Sequence, residues 1–189
     1  MLLMSTLAFT VCFAAWMLNG VLVTHLTVNQ VFNWSASEVG WLLGIPVLTG
    51  SIFRLPAGVL TDKFGGKPVF TALLLFCAVP MFLLSQANSY WAFALCSFGF
   101  GLVGVSFSIG IAYTSVWFPK NRQGLALGIF GAGNAGSALT TLIAPTLLNR
   151  FTEHGQNGEG CRMLPIVYAV ALVVMGIVFF ASMTNKKPR

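Results

Sequence analysis

Long runs of hydrophobic residues, separated by short polar segments, dominate this chain. A helix rises ~1.5 Å per residue, so about 20 apolar residues cross a bilayer core of ~30 Å. Six runs are long enough, or nearly so, to predict membrane-spanning helices. They occupy residues 2–24, 39–61, 68–85, 90–118, 124–148 and 163–183. The pattern therefore predicts an all-α membrane protein with six transmembrane helices.

Composition agrees with this class. Hydrophobic residues make up 57% of the chain, charged residues only 7%, and the mean hydropathy is +0.84. Soluble domains have about a quarter of their residues charged, so a soluble protein is excluded. We expect the lipid bilayer as the surrounding medium, and the net charge of +6 requires no nucleic acid to explain it.

The basic residues follow alternate spans. Lys63, Lys67, Lys120, Arg122, Lys186, Lys187 and Arg189 all fall on the side of the two termini. The opposite side has Arg150 and Arg162, offset by Glu153 and Glu159. Because Lys and Arg concentrate in loops that stay in the cytoplasm, both termini are predicted to be cytoplasmic.

Arg54 is a charged residue inside the second apolar run, which extends from Val39 to Leu60. A guanidinium keeps its proton in a protein, and an arginine near the centre of a spanning helix costs roughly 2.5–3.5 kcal/mol. Such residues usually face a bundle interior and have a function there. We expect Arg54 to hold an anion.

Asn134 is a polar residue inside the fifth run. Counted along the helices, Arg54 lies about 10 Å from the cytoplasmic end of span two and Asn134 about 15 Å from the same side of span five. An amide inside a span pairs with a neighbouring helix or with a ligand, and both interpretations stay open here. If the chain is an inverted repeat, spans two and five are symmetry mates and the two residues face one cavity.

Nine of the 20 glycines lie between Gly99 and Gly136. The pair Gly124-x-x-x-Gly128 predicts close packing of spans four and five. Residues 131–136 match the dinucleotide pattern G-x-G-x-x-G, but they lie in the middle of a helix and no strand precedes them. No cluster of His, Cys, Asp or Glu at membrane depth predicts a catalytic or metal site, so we expect no enzyme, no metal and no cofactor.

Two motifs resemble those of the major facilitator superfamily. Residues Gly58 to Lys67 read GVLTDKFGGK and are similar to its signature between helices two and three. Residues 131–136 read GAGNAG and resemble the nitrate signature of its nitrate/nitrite porters, the NarK type. Arg54 stands where those porters have an anion-binding arginine. The resemblance covers essentially all of the chain and implies the N-terminal six-helix half, a 3+3 inverted repeat, of a twelve-helix transporter.

The resemblance implies transport of nitrate or nitrite by alternating access, either as nitrate–proton symport or as nitrate/nitrite antiport. It implies that Arg54 grips the anion while Asn134, Gly131 and Gly133 line the site. Phe107 resembles an aromatic residue that packs beside the anion, and core packing is its alternative role. No carboxylate lies inside a span, so protons as a coupled partner are neither required nor excluded.

The resemblance also assigns a conformational gate on the cytoplasmic side, formed by Gly58, Asp62, Lys63, Gly65, Lys67 and Arg122. Asp62 is expected to cap a helix N-terminus or to pair with Arg122. An exposed pair is worth only ~0–1 kcal/mol, so it would bias an equilibrium between states.

Six helices are half of what this family needs. We expect the C-terminal half to be absent from this sequence, and a complementary six-helix half, in the same polypeptide or a second chain, to complete the cavity in a bacterial inner membrane. Without it, the substrate face would open to lipid. Two alternatives stay open: half of a transporter for another small anion or organic substrate, and a truncated, non-transporting membrane subunit.

Overall fold

The structure is a computed structural model that describes residues 1–152 and 158–186. The helices within these ranges are α1 (Leu2–Val28), α2 (Ala36–Ile52), α3 (Arg54–Phe64), α4 (Gly66–Leu84), α5 (Tyr90–Gly101), α6 (Ser106–Ser115), α7 (Lys120–Gly131), α8 (Ala135–Phe151) and α9 (Met163–Ser182). Short 3-10 turns occupy Leu102–Val105, Ala132–Asn134 and Gly158–Arg162.

These helices form six segments that are long and apolar enough to cross a membrane. In chain order, spans one to six are Leu2–Val28, Ala36–Phe64, Gly66–Leu84, Tyr90–Ser115, Lys120–Phe151 and Glu159–Ser182. The prediction of six spans is confirmed. Their observed ends lie within about four residues of the predicted ones, as expected of pattern-based boundaries.

Local side chains determine where span two begins and ends. At its start, Ser35 and Glu38 form a capping box: the Ser35 hydroxyl accepts from the Glu38 N–H at 3.3 Å, and the Glu38 carboxylate accepts from the Ser35 N–H at 2.8 Å. At its end, Gly65 has a φ of 90°, a conformation that glycine adopts without strain. This glycine lets α4 begin directly after α3.

Three spans are interrupted near their middle. Span two breaks at Phe53, because Pro56 has no N–H to donate to the Ile52 carbonyl and its ring crowds that carbonyl. Spans four and five tighten into the 3-10 turns Leu102–Val105 and Ala132–Asn134, both of which contain or adjoin glycines. Transporters commonly place ligand sites at such interruptions, where backbone groups become available.

The spans pack as two related units of three. Span one packs along span five, span two along span four, and span three along span six. Let span one be exchanged with span four, span two with span five, and span three with span six. The contact between spans one and five then becomes the contact between spans four and two, and the contact between spans three and six becomes itself. This is the pairing expected of an inverted repeat, and the predicted fold class is confirmed.

Candidate functional site

Arg54 is the first residue of α3, directly after the break at Phe53, and its side chain is exposed. Within the described residues no hydrogen bond or ion pair engages its guanidinium. Its neighbour Leu55 is 80% exposed, so the surface around the charge is apolar. Counted along α3 to Phe64, Arg54 lies about 15 Å from the end of span two, half of a ~30 Å core. A charge at this depth requires a partner that the described chain does not supply.

Asn134 ends the 3-10 turn of span five, and its side chain is also exposed. Its Nδ2 donates to the Gly131 carbonyl at 2.9 Å, within its own span. Among residues 1–152 and 158–186, no neighbouring helix bonds to this amide. Counted along span five, Asn134 lies about 21 Å from Lys120, so it stands somewhat deeper than Arg54 and well within the membrane core.

Two glycines beside Asn134 pack tightly against span one. A Cβ on Gly133 would lie 2.6 Å from Phe9 Cδ1, and a Cβ on Gly136 would lie 2.9 Å from the carbonyl carbon of Thr10. Only glycine permits this approach of two helix backbones. The structure therefore places Gly133 at a helix interface, where it supports the position of Asn134.

The other glycines of span five are open. A Cβ on Gly124, Gly128 or Gly131 would meet no atom of the described chain within 4 Å. Gly124 and Gly128 therefore do not mediate the close packing of spans four and five that we predicted from them. Those spans meet instead at Gly110, where the Phe130 ring occupies the space that a Cβ would need. The three open glycines lie on a bare face of span five, and Gly131 continues this face up to the bonded amide of Asn134.

Phe107 belongs to a cluster of aromatic rings that joins spans one, four and five. Its ring centroid lies 5.6 Å from that of Phe9 and 6.3 Å from that of Phe130. Phe9 stacks on Phe130 at 4.6 Å, and Phe13 and Trp16 extend the cluster along span one. Phe107 itself is half-buried, so it has both a packing role and an accessible edge.

The sequence interpretation missed the contribution of span one to this cluster. Phe9, Phe13 and Trp16 are spaced i, i+4 and i+7, which places them on one face of a helix. That spacing was the available signal. It could not show that the face meets Phe107 and Phe130, because those residues lie about 90 to 120 positions later in the chain.

The contacts that we expected of Asp62, one of the predicted gate residues, are not made. Asp62, Lys63 and Arg122 are exposed, and within the described residues no ion pair joins Asp62 to Arg122 and no helix end bonds to Asp62. The predicted pairing is therefore not made in this conformation. Lys63 Nζ lies 5.5 Å from the ring centroid of Phe64. A Cβ on the partly buried Gly58 would meet no atom of the described chain within 4 Å, so Gly58 also borders open space.

The double glycine of the signature has a packing role. The ring of Tyr113 occupies the space that a Cβ on Gly66 would need, and the Tyr113 hydroxyl donates to the Thr184 carbonyl. Asn185 Nδ2 donates to the Phe64 carbonyl at 3.0 Å, directly beside Gly65. The segment after span six thus holds the turn between spans two and three.

Two lysines complete this end of the molecule. Lys67 Nζ lies 4.3 Å from the ring centroid of Phe180, and Lys186 Nζ lies 5.0 Å from a ring centroid of Trp117. Spans two, four and six therefore end together, and the basic residues Lys63, Lys67 and Lys186 gather on one side. That distribution agrees with the charge bias in the sequence.

Spans two and five present the largest bare faces of the bundle. They are the least buried of the six spans and also the least apolar. A helix face in contact with lipid is favoured by apolar residues, and polar groups there are costly. The combination of exposure with lower hydropathy therefore favours a protein partner or an aqueous cavity beside these two spans.

The chain is similar to curated proteins whose names describe transport of nitrate or nitrite. A protein named "Probable nitrate/nitrite antiporter NarK1", from Thermus thermophilus, is 44% identical over 98% of this chain and 42% of its own length. The "Probable nitrate transporter NarT" of Staphylococcus carnosus is 32% identical over 100% of this chain and 46% of its own. The "Nitrite extrusion protein" of Bacillus subtilis is 34% identical over 97% and 45%. The chain spans less than half the length of these relatives.

Solved structures agree at the level of the fold. A bacterial homolog of the human lysosomal transporter Spinster, in an inward-facing and occupied conformation, superposes with a TM-score of 0.83 at 15% identity, covering 100% of this chain and 44% of the other. The unoccupied form gives a TM-score of 0.81. The profile described as Major Facilitator Superfamily matches residues 4–189. With its six spans and their inverted-repeat packing, the chain is thus a multi-pass membrane protein that belongs to the Major Facilitator Superfamily.

Proposed function

We propose that this chain is one half, the N-terminal one, of a transporter that moves nitrate and nitrite across a bacterial inner membrane by alternating access. The observation that carries the proposal is the exposed Arg54 guanidinium, which has no partner among the described residues, at a helix break in the middle of a span. The names of the matched relatives, a nitrate/nitrite antiporter and a nitrate transporter, support this choice of anion.

The chemistry of the anion fits Arg54. Nitrate is a planar monoanion, and a guanidinium presents a planar fork of donors that meets two of its oxygens at once. Lysine would preserve the charge but would lose that paired geometry. The apolar surroundings strengthen the attraction, because few waters compete for the charge there.

Asn134, Gly131 and Phe107 form the other wall of the proposed site. Asn134 holds its amide in place through the Gly131 carbonyl, which leaves its side-chain oxygen and its remaining amide hydrogen for a ligand. Phe107 borders the site as a half-buried member of the aromatic cluster. Gly133 acts indirectly, because its contact with Phe9 fixes the turn that ends at Asn134.

A complementary half would cover the bare faces of spans two and five and close the cavity. Their exposure and lower hydropathy support this arrangement. The basic side of the bundle, with both termini, is proposed to face the cytoplasm. There Gly58, Asp62, Lys63, Gly65, Lys67 and Arg122 form the proposed gate, and Asp62 is free to pair with the complementary half instead of with Arg122.

The substitution Arg54→Lys tests the site. In the assembled transporter, reconstituted in vesicles, we expect it to reduce nitrate uptake to the background of empty vesicles while the amount of folded protein is unchanged. Loss of one charge-assisted hydrogen bond is worth roughly 1.5–3 kcal/mol, or about 10- to 150-fold in affinity. Arg150→Lys, at the end of α8, is the matched control and should transport normally. Undiminished uptake by Arg54→Lys would refute the assignment.

The mode of coupling needs a separate experiment. Uptake of nitrate is driven either by an imposed pH gradient or by nitrite inside the vesicles. Symport predicts that only the pH gradient accelerates uptake, whereas antiport predicts that only internal nitrite does. Competition by another small anion or an organic solute, stronger than that by nitrite, would instead identify a different substrate.

A further inference from the structure

Pro46 lies inside α2, so span two lacks one of its backbone hydrogen bonds. Proline has no N–H, and the carbonyl four residues earlier, that of Leu42, loses its usual donor. Asn19 of span one supplies a replacement: its Nδ2 donates to the Leu42 carbonyl at 2.8 Å. Both residues are buried, with Asn19 only 3% exposed, so water does not compete for this bond.

The surroundings hold Asn19 in this orientation. The hydroxyl of the buried Ser97 in span four donates to Asn19 Oδ1 at 3.4 Å, which directs the amide nitrogen toward Leu42. Pro46 itself packs against span four, where a Cβ on Gly101 would lie 2.6 Å from the Pro46 Cα. One amide therefore links spans one, two and four at the proline.

Among the prolines of the described chain that lie beyond the first turn of a helix, Pro46 alone has this arrangement. Pro80 and Pro145 also lie inside helices and leave the carbonyls of Phe76 and Thr141 without their helical donors. Within the described residues no side chain of another span donates to either carbonyl. The bond from Asn19 is thus a particular feature of the span that carries Arg54.

We propose that Asn19 is a positioning residue for the anion site: its amide replaces the donor that Pro46 removes from span two and fixes the direction of the segment that ends at Arg54. Arg54 follows Pro46 by eight residues, about 12 Å along the helix. Binding groups must be held within about 0.5 Å, so a small change of direction at Pro46 displaces the guanidinium by more than a site tolerates. The inference rests on the proposed function for its effect on nitrate.

A double-mutant cycle tests it. Asn19→Leu keeps the branched shape of the side chain and removes the donor, whereas Pro46→Ala restores a backbone N–H to the Leu42 carbonyl. If Asn19 acts by donating to the Leu42 carbonyl, Asn19→Leu should have an effect in the parent protein and no effect when Pro46→Ala is already present. Thr71→Val is the control, because the Thr71 hydroxyl is similarly buried and has no hydrogen-bond partner.

Two readouts are used in the assembled transporter. For nitrate uptake, Asn19→Leu should raise KM about tenfold, equivalent to about 1.4 kcal/mol, with kcat changed less than about twofold. Spin labels at the exposed positions 43 and 59, in a variant without the native cysteines, report the direction of span two without nitrate. In Asn19→Leu, the distribution of distances between the two labels should be broader than in the parent protein. In Pro46→Ala, adding Asn19→Leu should not broaden it further. In Thr71→Val, it should be the same as in the parent protein.

Equal effects of Asn19→Leu in both backgrounds would overturn the inference, as would an equal effect of Thr71→Val. A broadened distance with an unchanged KM would overturn the role in positioning Arg54. If the parent protein takes up no nitrate, the proposed function fails, and the label distances alone then decide whether Asn19 fixes span two through Leu42.

Discussion

Gly136 and Gly128 belong to the same glycine-rich span, yet the structure predicts opposite responses to alanine. At Gly136, a Cβ would lie 2.9 Å from the Thr10 carbonyl carbon and 3.1 Å from the Ala14 nitrogen, and closer still to the Thr10 oxygen. These are backbone atoms of α1, which cannot rotate away. At Gly128, a Cβ would meet nothing of the described chain within 4 Å.

The magnitude follows from these distances. Ordinary contact begins at 3.4 Å, so the Thr10 carbonyl carbon alone requires spans one and five to separate by about 0.5 Å in Gly136→Ala, and the closer Thr10 oxygen requires more. Overpacking of this kind typically costs 1–3 kcal/mol, and the rigid backbone places it at the upper end. Alanine regains at most ~1 kcal/mol of helix propensity. The net loss is about 2 kcal/mol, which lowers the thermal midpoint by roughly 4–8 °C for a chain of this size.

Thermal unfolding of the purified chain in detergent measures this difference. A thiol-reactive fluorophore is a suitable reporter, because Cys12, Cys77 and Cys161 are buried and react only as the bundle opens. Gly128→Ala is the matched control and should leave the midpoint unchanged or raise it slightly. A midpoint for Gly136→Ala at or above that of Gly128→Ala would show that the backbones of spans one and five are not in contact at Gly136.

Two further changes probe local contacts by the same assay. Gly66→Ala should lower the thermal midpoint because the added methyl group overlaps the Tyr113 ring. In a Tyr113→Ala background, the same change should not lower the midpoint further. If Gly66→Ala lowers the midpoint equally with and without the Tyr113 ring, this explanation is contradicted. Ser35→Ala should cost about 1 kcal/mol, since it removes half of the capping box with Glu38, and an unaltered midpoint would mean that the start of span two is held by other contacts.

Some parts of the candidate site can be predicted from the sequence. Arg54 is conspicuous because a permanent charge inside an apolar run has few explanations. Asn134 is recognised through its motif and its depth. Phe107 is recognised by resemblance alone, and the sequence gives no sign that Phe9 and Phe130 are its neighbours. The rings meet only because spans one, four and five are adjacent, and adjacency is not a property of any one segment.

The glycines also show that contacts between spans cannot be read from a single segment of the sequence. In the sequence, Gly128 and Gly136 are equivalent small residues at helical spacing, and each is open to either a packing or a lining role. In the structure one is bare and the other is in backbone contact with span one. Likewise, Asp62 and Arg122 have opposite charges on one side of the membrane, but their separation depends on how the ends of spans two and five are placed.

Short-range chemistry is enough to account for the six spans, the break at Pro56, the capping box and the charge of Arg54. The spans depend on the hydropathy of neighbouring residues along the chain. The break depends on the missing N–H of one proline, and the charge depends on a guanidinium that keeps its proton. The carbonyl that Asn19 bonds, the glycines that touch span one and the packing of Tyr113 depend instead on the assembled bundle. Those contacts join residues far apart in the chain, and they exist only where two helices cross at a particular distance and angle.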